Sequence, residues 1–130
     1  MKILPIVLIL VFLSVLNPIS SAAERPSEST PVYKILREKE WLEFKNSGVF
    51  HGSSDDKRDG YIHMSPANQI ERIVKKYFSA EKKIFVVEFK KLDFLEMLIW
   101  EPASGGVLYP HLYGRPLKLE DMSDLEIIIQ

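Results

Sequence analysis

Residues 60–89 read GYIHMSPANQIERIVKKYFSAEKKIFVVEF, and this stretch decides the fold. YIHM has the alternation of a short strand, with Tyr61 and His63 on one face and Ile62 and Met64 on the other. Ser65 and Pro66 then read as a helix start, with the serine as N-cap and the proline in the first helical position. Ile70, Ile73, Val74, Tyr77 and Phe78 follow at the spacing of one helical face. KIFVVEF (Lys83 to Phe89) is apolar on both faces until Glu88, as in a strand covered on both sides, so it is expected at the centre of a sheet.

Upstream, VYKIL (Val32 to Leu36) has strand composition, with Val32, Lys34 and Leu36 on one face and Tyr33 and Ile35 on the other. REKEWLEFKNSG places Trp41, Leu42, Phe44 and Lys45 at helical spacing, and Gly48 is suited to end that helix in a left-handed conformation. HGSSDDKRDG reads as a solvated loop. Downstream, KKLDFLEML suggests a short helical turn, and IWEPASGGVLYPHLYGRP suggests irregular strands around a site. DLEIII (Asp124 to Ile129) reads as a closing strand. Strands and helices mix without a regular βαβ repeat, which predicts an α+β fold.

The N-terminus has a different character. Lys2 precedes an apolar run from Ile3 to Leu16, broken by Asn17-Pro18 and followed by the small residues Ser21-Ala22-Ala23. That layout predicts a secretory signal peptide over 1–23, hence a periplasmic or secreted protein, with a retained membrane anchor as the alternative. The polar, proline-bearing residues 24–31 are expected to form a loose tail, and residues 32–130 a single globular domain. Seventeen basic and eighteen acidic residues give a net charge of −1, and the chain has no cysteine. Disulfides and thiolate metal sites are therefore excluded. Near-neutral charge gives no reason to expect nucleic acid as partner, nor a membrane after leader removal, and a monomer is expected.

Chemistry-bearing residues form two groups. His51, His63 and His111 are not spaced as paired metal ligands, so no metal site is expected. There is no G-x-S-x-G elbow, phosphate-binding loop or dinucleotide-binding glycine pattern. His63 lies two residues before Ser65, where a helix start would offer free N–H groups to an anionic ligand. Taken alone, a mid-strand histidine of this kind is a hydrogen-bonded structural residue. The second group, in Trp100 to Pro116, combines Trp100, Tyr109 and Tyr113 with Glu101, His111 and Arg115 and with three glycines. It reads equally as a small-molecule pocket or as a twisted hairpin with core aromatics.

VYKI, DGYIHMS and WEPASGGVLYPHLYG, in this order and spacing, resemble a mainly bacterial family known only as domain of unknown function nine-five-two. The resemblance runs from Val32 to about Leu119 and carries no activity with it. More distantly, the succession of strand, glycine-ended helix, H-x-S strand, helix, apolar strand and Gly-Val strand is similar to the ADP-ribosyltransferase fold, RNA 2′-phosphotransferase branch. That resemblance implies two small β-sheets forming a cleft with flanking helices, in which NAD is bound bent as a substrate rather than held as a tight cofactor. His63 and Ser65 fall on its second-strand motif. Gly106-Val107 falls on its third strand, where that branch has an apolar residue in place of the catalytic glutamate of other branches. Lys34 stands where the branch has a first-strand histidine, and Asp59 where it has an arginine, with Arg58 one residue earlier. RNA phosphate removal is not implied, because those arginines are not reproduced.

The resemblance implies catalytic roles for His63, which would hold a ribose hydroxyl, His111, and Glu101, which would orient an acceptor. For the chemistry the resemblance implies, the candidate cofactor contacts are Lys34 or Arg115 at phosphate oxygens, Tyr61 or Tyr109 stacked on nicotinamide, and Ser65 at the helix start. The expected function is an exported NAD- or nucleotide-using transferase or glycohydrolase. Two alternatives stand beside it. One is a non-catalytic module binding a nucleotide or small anion. The other is a secreted interaction protein with an apolar patch on Leu125 to Ile129.

Overall fold

The structure, a computed structural model, describes residues 30–90 and 96–130. The expected leader, most of the expected tail and the centre of KKLDFLEML lie outside the described residues.

β1 (Val32–Arg37) and β4 (Lys83–Phe89) pair antiparallel, Val32 opposite Phe89 and Arg37 opposite Ile84. β8 (Met122–Ile129) adds to the other side of β4, giving a sheet of order β1-β4-β8. The KIFVVEF strand is therefore central, as its two apolar faces predict. Each face has its own cover. Val32, Leu36, Phe85, Val87 and Phe89 share a buried cluster with Trp41 and Phe44 of α1 (Glu38–Ser47). Ile35, Ile84 and Val86 pack with Val74 and Phe78, in and just after α3 (Ile70–Tyr77). Trp41 stacks on Phe85 with centroids 5.5 Å apart. Gly48 ends α1 at φ 78°, its N–H donating to the Phe44 carbonyl at 2.8 Å, a left-handed cap that a side chain would strain.

A second sheet, of order β3-β6-β5, comes from the two segments that carry the motifs. β3 is only Ile62–His63. It pairs with β6 (Leu108–Leu112), which pairs in turn with β5 (Leu98–Pro102). Ala103 to Val107 closes the β5–β6 hairpin, the Ala103 N–H donating to the Val107 carbonyl at 2.8 Å. Gly106-Val107, expected on a strand, thus lies in the turn, where Gly105 and Gly106 take φ of 87° and 77°. A two-stranded ribbon joins β2 (Val49–Phe50) to β7 (Leu117–Lys118). The two larger sheets meet at one backbone bridge, Tyr33 with Ser65, through hydrogen bonds of 2.9 and 2.8 Å.

Two expectations are corrected. The segment after Ser65 begins with a 3₁₀ turn, Ala67–Gln69, and α3 starts only at Ile70. Ser65 caps no helix, because its backbone is used by Tyr33 and its hydroxyl donates to the Pro66 carbonyl at 2.8 Å. HGSSDDKRDG is not a loop throughout. Ser54–Asp59 forms a short helix, α2, between a Ser53 cap and Gly60 at φ 84°. The Asp56 N–H donates to the Ser53 hydroxyl and the Ser53 N–H to the Asp56 carboxylate, a reciprocal capping box.

Candidate functional site

The site begins with a buried lysine. Alternation along β1 puts Lys34 on the core face between Val32 and Leu36, and it is 5% exposed. An ammonium there needs a counter-ion. α2 supplies one, delivering Asp56, 3% exposed, with its Oδ2 at 2.8 Å from Lys34 Nζ. Oδ2 also accepts the Ser53 N–H, and Oδ1 accepts the His63 N–H at 3.0 Å and faces His63 Nδ1 at 2.7 Å. Lys34 donates a second bond to the His63 carbonyl at 2.9 Å. His63 is thus gripped at its amide, its carbonyl and its ring by one interior ion pair. Burial alone would push the Asp56 carboxyl up. The hydrogen bonds from His63 and the Lys34 ammonium outweigh burial and hold it well below the usual carboxylate range. Burial draws Lys34 down against the pull of Asp56. With a carboxylate and a carbonyl as its acceptors, we read the pair as ionised.

The outer edge of the His63 ring faces the cleft. Its Nε2 is 3.1 Å from Asp59 Oδ2, and the side chain is 38% exposed. Directly across the β3–β6 ladder stands His111. The two ring centroids are 5.4 Å apart, nearly edge to face. Tyr61 packs against both, stacked on His111 at 4.1 Å and 20° and tilted 4.7 Å from His63. Its hydroxyl is pushed up by partial burial and by Asp59, Glu101 and Asp56 nearby. His111 Nδ1 is 2.9 Å from Glu101 Oε1, which also accepts the Tyr113 hydroxyl. That bond pushes Tyr113 up to about 12 and, with His111, holds the Glu101 carboxyl down.

These rings form one wall of a cleft of about 520 Å³ between the two three-stranded sheets. The opposite wall comes from β1 and α3 and carries Arg37, Arg72, Lys76 and Tyr77. The Tyr109 hydroxyl joins the walls, donating to Gln69 at 3.1 Å and accepting from Arg72 at 2.9 Å. Among the described residues, no cluster of three or more His, Cys, Asp or Glu is placed to hold a metal ion, and no helix is long and apolar enough to cross a membrane.

The structure brings His63, His111, Tyr61, Tyr109, Ser65 and Lys34 to this cleft, with Glu101 attached behind His111. Three expected roles change. Lys34 reaches no phosphate, because its ammonium is committed to Asp56 and the His63 carbonyl. Ser65 is 1% exposed and spent on Tyr33 and Pro66. Arg115 lies outside the cleft lining, its Nη2 at 2.6 Å from Asp121 Oδ2 in the β6–β7 connection. Sequence reasoning missed Asp56, Asp59, Gln69 and Arg72. A signal for the first was present in S-S-D-D, whose serine and aspartate three apart are the reciprocal-cap pattern.

Residues 35–125 match the model of a family described as "Protein of unknown function (DUF952)". Solved structures of protein CC0527 from Caulobacter crescentus are similar to this chain. Its crystal structure aligns with TM-score 0.70 at 35% identity, covering 75% of this chain and 85% of that one. A crystal structure of a double mutant gives the same figures. The solution structure aligns with TM-score 0.64 at 34% identity, covering 74% and 82%. No curated protein matches the chain.

Proposed function

The chain belongs to the DUF952 family of proteins of unknown function, and on that footing we propose that its cleft binds a nucleotide of the NAD or ADP-ribose class and cleaves or transfers at the glycosidic bond. One observation carries this reading: His63 and His111 face each other on adjacent strands, with Tyr61 packed against both and stacked on His111, along a cleft of about 520 Å³. That volume suits a small-molecule ligand. Two small sheets joined at one bridge and flanked by helices support the ADP-ribosyltransferase-like description of the cleft.

The chemistry follows from the donors present. Breaking a nicotinamide–ribose bond sends the bonding pair out with neutral nicotinamide and leaves positive charge on the ribose carbon. An acceptor oxygen takes that charge, and its proton must go to a base. With Nδ1 donating to Glu101, His111 offers Nε2 as that base, so Glu101 acts through His111 rather than on the acceptor. Tyr61 supplies a ring face for the leaving group. Arg72 and Lys76 give the opposite wall the positive charge a pyrophosphate needs. The proposal includes a monomer exported by way of the leader expected over 1–23.

A second reading, a binding module without turnover, is favoured by one fact. Lys34 and Glu101, both given ligand-side roles by the resemblance, are already engaged inside the protein. Incubation with NAD and chromatographic measurement of nicotinamide separates the two. The enzyme reading expects release that falls by roughly two orders of magnitude in His111→Ala. Saturable heat with ADP-ribose but no release leaves the module. Neither heat nor release refutes both.

A further inference from the structure

The Asp59 carboxylate occupies an unusual place. Its Oδ1 accepts Arg58 Nε at 3.0 Å, while its Oδ2 lies 3.4 Å from Arg58 Nη2 and 3.1 Å from His63 Nε2. The Arg58 guanidinium and the His63 ring therefore converge on one pair of anionic oxygens at the edge of the cleft; with Nδ1 serving Asp56, the ring donates from Nε2 only as the imidazolium. The donors differ in how they are fixed. His63 is held from behind by Asp56 and by Lys34, both interior. Arg58 is steadied by Asp55, whose Oδ1 is 2.9 Å from its Nη1. Asp59 itself is the last residue of α2, followed by left-handed Gly60, and its side chain is 30% exposed. Its place in the fork rests on half-exposed contacts that are weak in water.

We propose that Asp59 is a built-in stand-in for the ligand. A phosphate-type oxyanion displaces its carboxylate and takes Arg58 and the imidazolium form of His63 as its two donors, so the free protein carries a self-occupied anion site. The geometry favours this class of ligand because two oxygens of one anionic group already satisfy the fork, and phosphate repeats that arrangement with more charge. No covalent step is involved. Part of the ligand's binding is lost to competition with Asp59, since only the fraction with an open fork is competent. The inference rests on the nucleotide reading, to which it adds an anion contact across the cleft from Arg72 and Lys76, but its test does not need NAD.

The test is titration calorimetry of the full chain with inorganic pyrophosphate. Asp59→Ala removes the competitor and a like charge, and should tighten binding by roughly fivefold or more, the equivalent of one exposed ion pair. Adding His63→Ala or Arg58→Ala to that variant should bring affinity back to the wild-type level or below. Asp59→Asn, which keeps a polar group of the same shape, should tighten binding in the same direction if alanine frays α2. Unchanged or weaker binding in both Asp59 variants overturns the proposal, as does tightening that survives loss of both donors. Should NAD and ADP-ribose fail to bind while pyrophosphate behaves as stated, the nucleotide reading falls and this site stands. The reverse result removes this site alone.

Discussion

Replacing Asp56 with alanine tests the interior on which the site is built. The carboxylate receives Lys34 Nζ at 2.8 Å, the Ser53 N–H at 2.9 Å, and the His63 N–H and Nδ1 at 3.0 and 2.7 Å. Its loss leaves Lys34, 5% exposed, without a counter-ion. Removing one partner of a buried pair costs about 3–5 kcal/mol. The lower end applies here, because burial already draws the ammonium down and lets it shed its proton instead of staying charged. A loss of about 3 kcal/mol corresponds to a fall in Tm of roughly 15 °C for a domain of this size. Urea denaturation followed by tryptophan fluorescence measures it, since Trp41 packs in the same core. The double variant Lys34→Met/Asp56→Leu should recover most of the loss, as apolar replacement of a buried pair is tolerated. The pH dependence has a definite sign. The folded-state carboxyl of Asp56 is depressed from 3.8, so its stabilisation is present above that value and is lost as pH falls below it. Wild type should therefore weaken more steeply below about pH 4 than the double variant. A loss under about 1 kcal/mol in Asp56→Ala, or a double variant no more stable than the single one, refutes the reasoning.

Other perturbations have equally direct readouts. Gly52 sits at φ 118°, where an added Cβ would stand 2.8 Å from Asp56 Cβ, so Gly52→Ala should cost roughly 2 kcal/mol or more in urea denaturation. Phe44 is fully buried between α1 and the central sheet, and Phe44→Ala should cost about 3–5 kcal/mol, enough to leave little folded protein by circular dichroism on warming. Ultraviolet titration should find Tyr113 ionising near 12, and Glu101→Gln should bring it down toward 10, because the carboxylate is the main cause of the rise.

The sheet and two of the helices were legible because their signals are periodic. β1, β4 and α3 follow from alternation and the i, i+3, i+4 stripe, and the central place of Lys83–Phe89 from its two apolar faces. α2 was not, because DDKRD has no apolar stripe and the helix buries a single carboxylate. Its capping box is the one local cue. Ser65 misled because Ser-Pro before an apolar stripe imitates a helix start, while here strand pairing with Tyr33 claims the serine backbone. Lys34 was half legible. Alternation put it on the face of Val32 and Leu36, yet only the folded chain reveals which acid, 22 residues away, answers it. The facing of His63 and His111 depends on strand register between distant segments, and no spacing rule in one sequence fixes that.

Lys34 and Asp56 form a buried ion pair and hold the His63 ring with the same atoms. Selection against unfolding would therefore preserve both in a descendant that had lost its chemistry. On the proposed reading, the marks of a living site are residues the interior pair does not use: Asp59 and Arg58 at the rim, Tyr61 and the outward nitrogen of His63. Drift there, with the lysine and its aspartate unchanged, is the pattern a retired copy of this protein should leave.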